Sequence, residues 1–90
     1  MEIRRLIITG LVQGVGYRYG MTRQARQLGI SGWVRNLTNV SVEAMVAGQP
    51  EAIAAIIAWA RRGPSRARVD HIAVELDEGS FAGFEARPDA

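Results

Sequence analysis

An arginine placed directly behind a run of glycines can hold an anion, and the stretch "GLVQGVGYR", residues 10 to 18, has that arrangement. Small residues let successive backbone N–H groups turn toward one point, and an arginine adds a planar, permanently charged fork suited to carboxylate or phosphate. Two familiar nucleotide loops do not fit. No Lys-Ser or Lys-Thr follows the glycines, as a Walker A loop needs. Gly14, Gly16 and Gly20 read G-x-G-x-x-x-G, which is not the dinucleotide spacing. What the stretch shares with those loops is its setting, between an apolar run and a helical pattern. A helix start offers N–H groups without intrahelical partners and the positive end of the dipole. The amides of Gln13, Gly14, Val15, Gly16 and Tyr17, joined by the Arg18 guanidinium, can therefore converge on one anion. The same residues are equally consistent with a glycine turn beside a surface arginine.

Other chemistry is sparsely supplied. Without cysteine there is no thiolate nucleophile, disulfide or cysteine metal site. The single histidine, His71, falls inside a strand pattern and apart from other plausible ligands, whereas metal binding needs a cluster. Glu43 and Glu75 fall on separate strands, and no serine has a histidine at a recognisable spacing. The expectation is a site with no metal and no cofactor.

The elements that must position the glycine stretch follow from hydrophobic period. "IRRLIIT" (residues 3 to 9) reads as a strand. Tyr17, Met21, Ala25 and Leu28 share one helical face across residues 17 to 28, and Gly29 ends that helix. Arg18, Arg23, Arg26 and Gln27 fall largely off that face. "GWVRNL" (32–37) and "SVEAMVAG" (41–48) read as a hairpin. Its turn carries Asn39-Val40, and a β-branched residue does not comfortably take positive φ, so the turn is expected to differ in type or lean on Asn39. Pro50 and Glu51 suit a helix start. Ile53, Ile56, Ile57 and Ala60 then share a face up to Gly63-Pro64. In residues 69 to 76, Ile72, Val74 and Leu76 alternate as a strand face, and a short last strand is expected near 83–87. The order β-α-β-β-α-β, with a short terminal strand, predicts an α+β fold. It is a ferredoxin-like two-layer sandwich with both helices on one face of a mostly antiparallel sheet. Residues 1–90 are expected to form a single domain.

Composition narrows the function classes. The chain is 48% hydrophobic and 22% charged, with a formal net charge of +2. All eleven basic residues are arginine, interspersed with nine acidic ones, which reads mainly as a solvated surface. The apolar run from Ala52 to Ala60 is too short to span a bilayer, and "MEIRRLIITG" lacks the order of a signal peptide. A cytoplasmic monomer with no membrane partner is the expectation. RNA-binding sheets of this topology place aromatics on their central strands; the first and third strands here carry none, so nucleic acid is not expected as a partner. Arg61, Arg62, Arg66 and Arg68 are read as complementing the end of the second helix.

"GLVQGVGYR" followed by "ARQLGISGWVRN" closely resembles the acylphosphatase family, whose signature runs V-Q-G-V-x-[FY]-R and then G-W-V-x-N. The resemblance continues through "SVEAMVAG" to "GPSRARV" and fades after about residue 70. It implies the same ferredoxin-like fold and an enzyme hydrolysing an acyl phosphate to carboxylate and phosphate without metal or cofactor, phosphate also acting as an inhibitor. By that resemblance Arg18 and Asn36 are the catalytic residues, Arg18 binding phosphate and Asn36 orienting water. The amides of residues 13 to 17 form the phosphate cradle. The chain departs from the family pattern at Leu37, where threonine is frequent, and at the Asn39-Val40 turn. A module that binds an anion without turnover is the alternative.

Overall fold

The computed structural model describes residues 1–90. Its elements are β1 (Glu2–Leu11), α1 (Tyr17–Gln27), β2 (Ser31–Asn36), β3 (Val42–Gly48), α2 (Pro50–Arg62), β4 (Arg68–Leu76) and β5 (Phe84–Ala86). The five strands form one sheet in the order β4-β1-β3-β2-β5. All pairings are antiparallel except β2 with β5. Because β1 and β2 both run antiparallel to β3, they run parallel to each other. Val42 therefore faces Ile8 of β1 on one side and Asn36 of β2 on the other. The loop leaving β1 and the last residue of β2 thus emerge at the same edge of the sheet, which the site requires.

One face of the sheet is covered by both helices. Leu6, Ile8, Val34, Val42, Ala44 and Val46 meet Tyr17, Met21 and Ala25 of α1 and Ile53, Ile56 and Ala60 of α2. Burial of each large aliphatic side chain stabilises the fold by about 1.5–3 kcal/mol relative to exposure. Gly20, whose place in a helix costs about 1 kcal/mol against alanine, has a packing reason. A Cβ there would lie 2.7 Å from Trp59 Cζ2, so the glycine lets α1 and α2 approach. The alternation expected in β4 is only partly used. Ile72 is buried, whereas Val74 and Leu76 are exposed on the edge strand of the sheet, even though Val74 pairs with the fully buried Leu6.

On the other face the carboxylates that are scattered in sequence come together. Glu43, its side chain 6% exposed, accepts hydrogen bonds from Arg5 Nε at 2.6 Å and Arg35 Nε at 2.8 Å, while Arg5 Nη1 reaches Glu75 at 2.8 Å. The bond to Glu43 raises the Arg5 pKa, against the opposing pull of burial. Trp33 lies on this face too, under Arg35 and Arg87 at 5.1 and 4.9 Å from its ring centroid. It packs there, away from the edge where Asn36 emerges.

The hairpin turn leans on Asn39, one of the two outcomes expected for it. Val40, a β-branched residue, does take positive φ, at 66°. Asn39 supports it, since its Oδ1 accepts from both the Ser41 amide and the Ser41 hydroxyl. An L-residue in this region costs roughly 1–2 kcal/mol, and Val40 is 66% exposed, so little packing offsets it. Val40→Gly is expected to stabilise the protein by about 1 kcal/mol, a rise in melting temperature of roughly 4–8 °C. A thermal melt showing no rise would mean the turn is unstrained.

Candidate active site

Between β1 and α1 the chain turns through Gly14 at φ 74° and Gly16 at φ 82°, with Val15 between them on the ordinary side. Alternating hand along successive residues aims neighbouring N–H groups at one side, the geometry of an anion nest. The amides of residues 13 to 16 donate to no acceptor in the chain, and the first helical bond is Gly20 N–H to the Gly16 carbonyl at 3.0 Å. Gly16 caps α1 without any side-chain acceptor, and no acidic residue stands in the first turn. No side chain of the helix itself occupies the positive end of its dipole.

Arg18 opens from the first turn of α1 into a cleft of about 440 Å³. Its Nη1 donates to the Arg87 carbonyl at 3.1 Å and to Asp89 Oδ1 at 3.2 Å. The segment after β5 is itself held along β2, with Arg87 N–H donating to the Val34 carbonyl and Ala90 N–H to the Asn36 carbonyl. A carboxylate thus already rests on the Arg18 guanidinium.

Asn36 ends β2 on the buried face and reaches the same cleft as Gly14, Gly16 and Arg18. The residue is 7% exposed, and its Oδ1 is buried with no donor from the chain. An orphaned acceptor of this kind costs about 1–3 kcal/mol. Asn36 thus lines the cleft beside the unpaired amides of the loop.

Loop and asparagine are locked to each other. The Gln13 amide donates from Nε2 to the carbonyls of Leu37 and Ser41, both at 2.8 Å. Leu37 lacks a hydroxyl, yet its backbone is fixed by that bond and by its own N–H to the Ser41 carbonyl at 2.9 Å. Tyr17 anchors the other end of the loop, its hydroxyl donating to the Ala60 carbonyl at 2.7 Å and its ring 5.3 Å from Trp59. Burial pushes that hydroxyl far above the ordinary tyrosine range, so it stays a donor.

Of the residues expected from sequence, Gly14, Gly16, Tyr17, Arg18 and Asn36 line one cleft. Gln13 and Val15 complete the loop, Gln13 turning its side chain to the hairpin and Val15 packing against the core. Sequence reasoning missed Tyr19, Thr22, Arg26 and Ala86, which also line the cleft. Arg18, Thr22 and Arg26 recur at i, i+4 and i+8, and that spacing marks a second, polar stripe on α1. Ala86 had no local mark, because the parallel pairing of β5 with β2 brings it there. His71 and the arginines at 61, 62, 66 and 68 lie outside the cleft. No three His, Asp or Glu side chains are grouped to hold a metal ion, and no helix is long and apolar enough to cross a membrane.

The family model for acylphosphatase matches residues 4–86. An acylphosphatase of Thiobacillus denitrificans is 48% identical over 89 residues, covering 99% of this chain and 100% of its own length. One from Geobacter sulfurreducens is 46% identical over 90 residues, covering 97% and 99%. The crystal structure of the Bacillus subtilis acylphosphatase superposes with a TM-score of 0.92 at 28% identity, covering 97% of this chain and 99% of that one. Similarity of this extent runs through the glycine loop, the hairpin and the helices alike, and on it the chain belongs to the acylphosphatase family.

Proposed function

We propose that the chain hydrolyses the carboxyl–phosphate bond of acyl phosphates, with the phosphoryl group held by the amides of residues 13 to 17 and by Arg18, and with Asn36 aiming the attacking water. The observation that carries this reading is the unpartnered Asn36 Oδ1, set in one cleft with the free amides of the glycine loop. A water held by the Asn36 carboxamide where it lines the cleft is fixed at the sheet edge facing the cradle. Its oxygen forms the new bond to phosphorus as the bond to the acyl oxygen breaks. The acyl group departs as a carboxylate with the bonding electron pair and needs no proton, and both protons of the water end on the product, dihydrogen phosphate, which then passes one to solvent near neutral pH. Catalysis then consists of positioning and charge stabilisation, which amides, a guanidinium and a carboxamide supply. A single chain furnishes every part of the cleft, so a monomer of one domain spanning residues 1–90 suffices.

The test is hydrolysis of acetyl phosphate or benzoyl phosphate by chelator-treated protein. Turnover above the buffer rate is expected; protection by phosphate against heating with no turnover would favour a binding module instead. Asp89 bears on the same reading. Its carboxylate and the substrate phosphate would share Arg18, and the pair is exposed, worth at most about 1 kcal/mol. Asp89→Asn is therefore expected to lower the inhibition constant of phosphate by a few fold, and an unchanged constant would show that Asp89 does not compete.

A further inference from the structure

The cleft is longer than a phosphate needs. From the glycine loop it runs along α1 past Thr22 to Arg26, with Ala86 of β5 on the opposite wall. Arg18 and Arg26 lie eight residues apart, roughly 12 Å along the helix axis and about 80° around it, and both line the cleft. Arg26 is bound in a particular way. Its Nε and Nη2 both donate to the Phe84 carbonyl, at 3.1 and 3.0 Å. A guanidinium has five N–H donors on two usable edges. The carbonyl occupies the side edge and leaves the end edge, with Nη1, free. None of the chain's ion pairs includes Arg26, whereas Arg18, Arg5 and Arg35 each have a carboxylate. The β5 carbonyl thus orients a guanidinium at the end of the cleft away from the phosphate cradle, without neutralising it.

We propose that Arg26 is a specificity residue for the acyl group, and that the preferred substrates are acyl phosphates whose acyl moiety ends in a second anionic group, a carboxylate or a phosphate. This rests on the acylphosphatase reading of the same cleft. With the phosphoryl group on the loop and Arg18, the acyl chain lies along α1 over Thr22 and Ala86. The small Ala86 side chain leaves it room, and its distal anion meets the free edge of Arg26. Acyl groups without that anion bind through the phosphate alone.

Three substrates on one rigid frame test this: benzoyl phosphate, 4-carboxybenzoyl phosphate and 4-phosphonobenzoyl phosphate. The quantity to read is the ratio of kcat/KM for each charged substrate to that for benzoyl phosphate. Arg26→Gln keeps an N–H to donate to the Phe84 carbonyl but removes the charge. It is expected to lower the ratio for at least one charged substrate about tenfold, mainly through KM, the scale of one charge-assisted pair. The substrate with the larger drop identifies the distal group. Arg26→Lys, which retains the charge, is expected to keep most of the ratio. Arg62→Gln, on the exposed end of α2, controls for net charge and is expected to leave it unchanged. In the wild type, rising salt should erode the ratio. If Arg26 only tethers β5, Arg26→Gln would shift all three substrates together and both ratios would stay within twofold of wild type, which overturns the proposal. Failure of the wild type to hydrolyse benzoyl phosphate itself would instead overturn the underlying reading.

Discussion

Arg18→Ala is expected to lower kcat/KM for acetyl phosphate on the order of 10³-fold, with the fold intact. Loss of one preorganised donor to a developing charge costs about 10²–10³ in rate, and an arginine serving phosphoryl transfer is worth about 10³–10⁵. The larger end of the first range applies here because no lysine is present, and the other arginine of the cleft is tethered to Phe84. Backbone amides still hold phosphate in the variant, so weak binding should persist while turnover collapses. Arg18→Lys retains the charge but not the planar fork, and should recover only part of the loss. Stability is a separate readout. The Arg18 side chain is 36% exposed and its ion-pair partner 66% exposed, so removing the pair should cost no more than about 1 kcal/mol. A drop of less than tenfold in kcat/KM, at unchanged melting temperature, would remove Arg18 from the catalytic machinery.

Why this arginine was legible in sequence, and Arg26 was not, has a physical basis. Arg18 sits in a local motif: strand, glycines, helix start. Every feature that marks it as a candidate lies within a few residues of it. Asn36 was legible for a different reason, through a family pattern, and its nearness to the loop depends on β1 and β2 both pairing with β3. Arg26 and Ala86 become neighbours only once β5 pairs parallel with β2, a contact made across most of the chain by a strand of three residues. The elements themselves were readable to within one or two residues, because each has either a clear period or a strong terminator. Side-chain pairing across the sheet was not. Glu43 looks like one of several scattered carboxylates until the strand order places Arg5 beside it. Val40 shows a single-residue preference outweighed at a cost: Gln13 and Asn39 hold the turn on both sides, and the valine takes the strained conformation that their hydrogen bonds impose.

Asn36 carries the second large effect, and it separates function from stability in opposite directions. Asn36→Ala is expected to lower kcat about 10²-fold while leaving the inhibition constant of phosphate within a factor of about two, because the cradle and Arg18 are untouched. Asn36→Leu should lose turnover equally and also melt at a higher temperature. The reason is the orphaned Oδ1: a buried acceptor without a donor costs about 1–3 kcal/mol, and an apolar side chain of similar size removes that cost without opening a cavity. A residue kept only for packing would behave the other way, since its replacement would lower the melting temperature and leave kcat alone. A residue that only binds phosphate would raise the inhibition constant along with the loss of turnover. The fold thus holds an unsatisfied polar atom beside its anion nest. A protein selected for stability alone would have filled that position with an aliphatic side chain, whereas one that must aim water at a bound phosphoryl group has to leave the acceptor free.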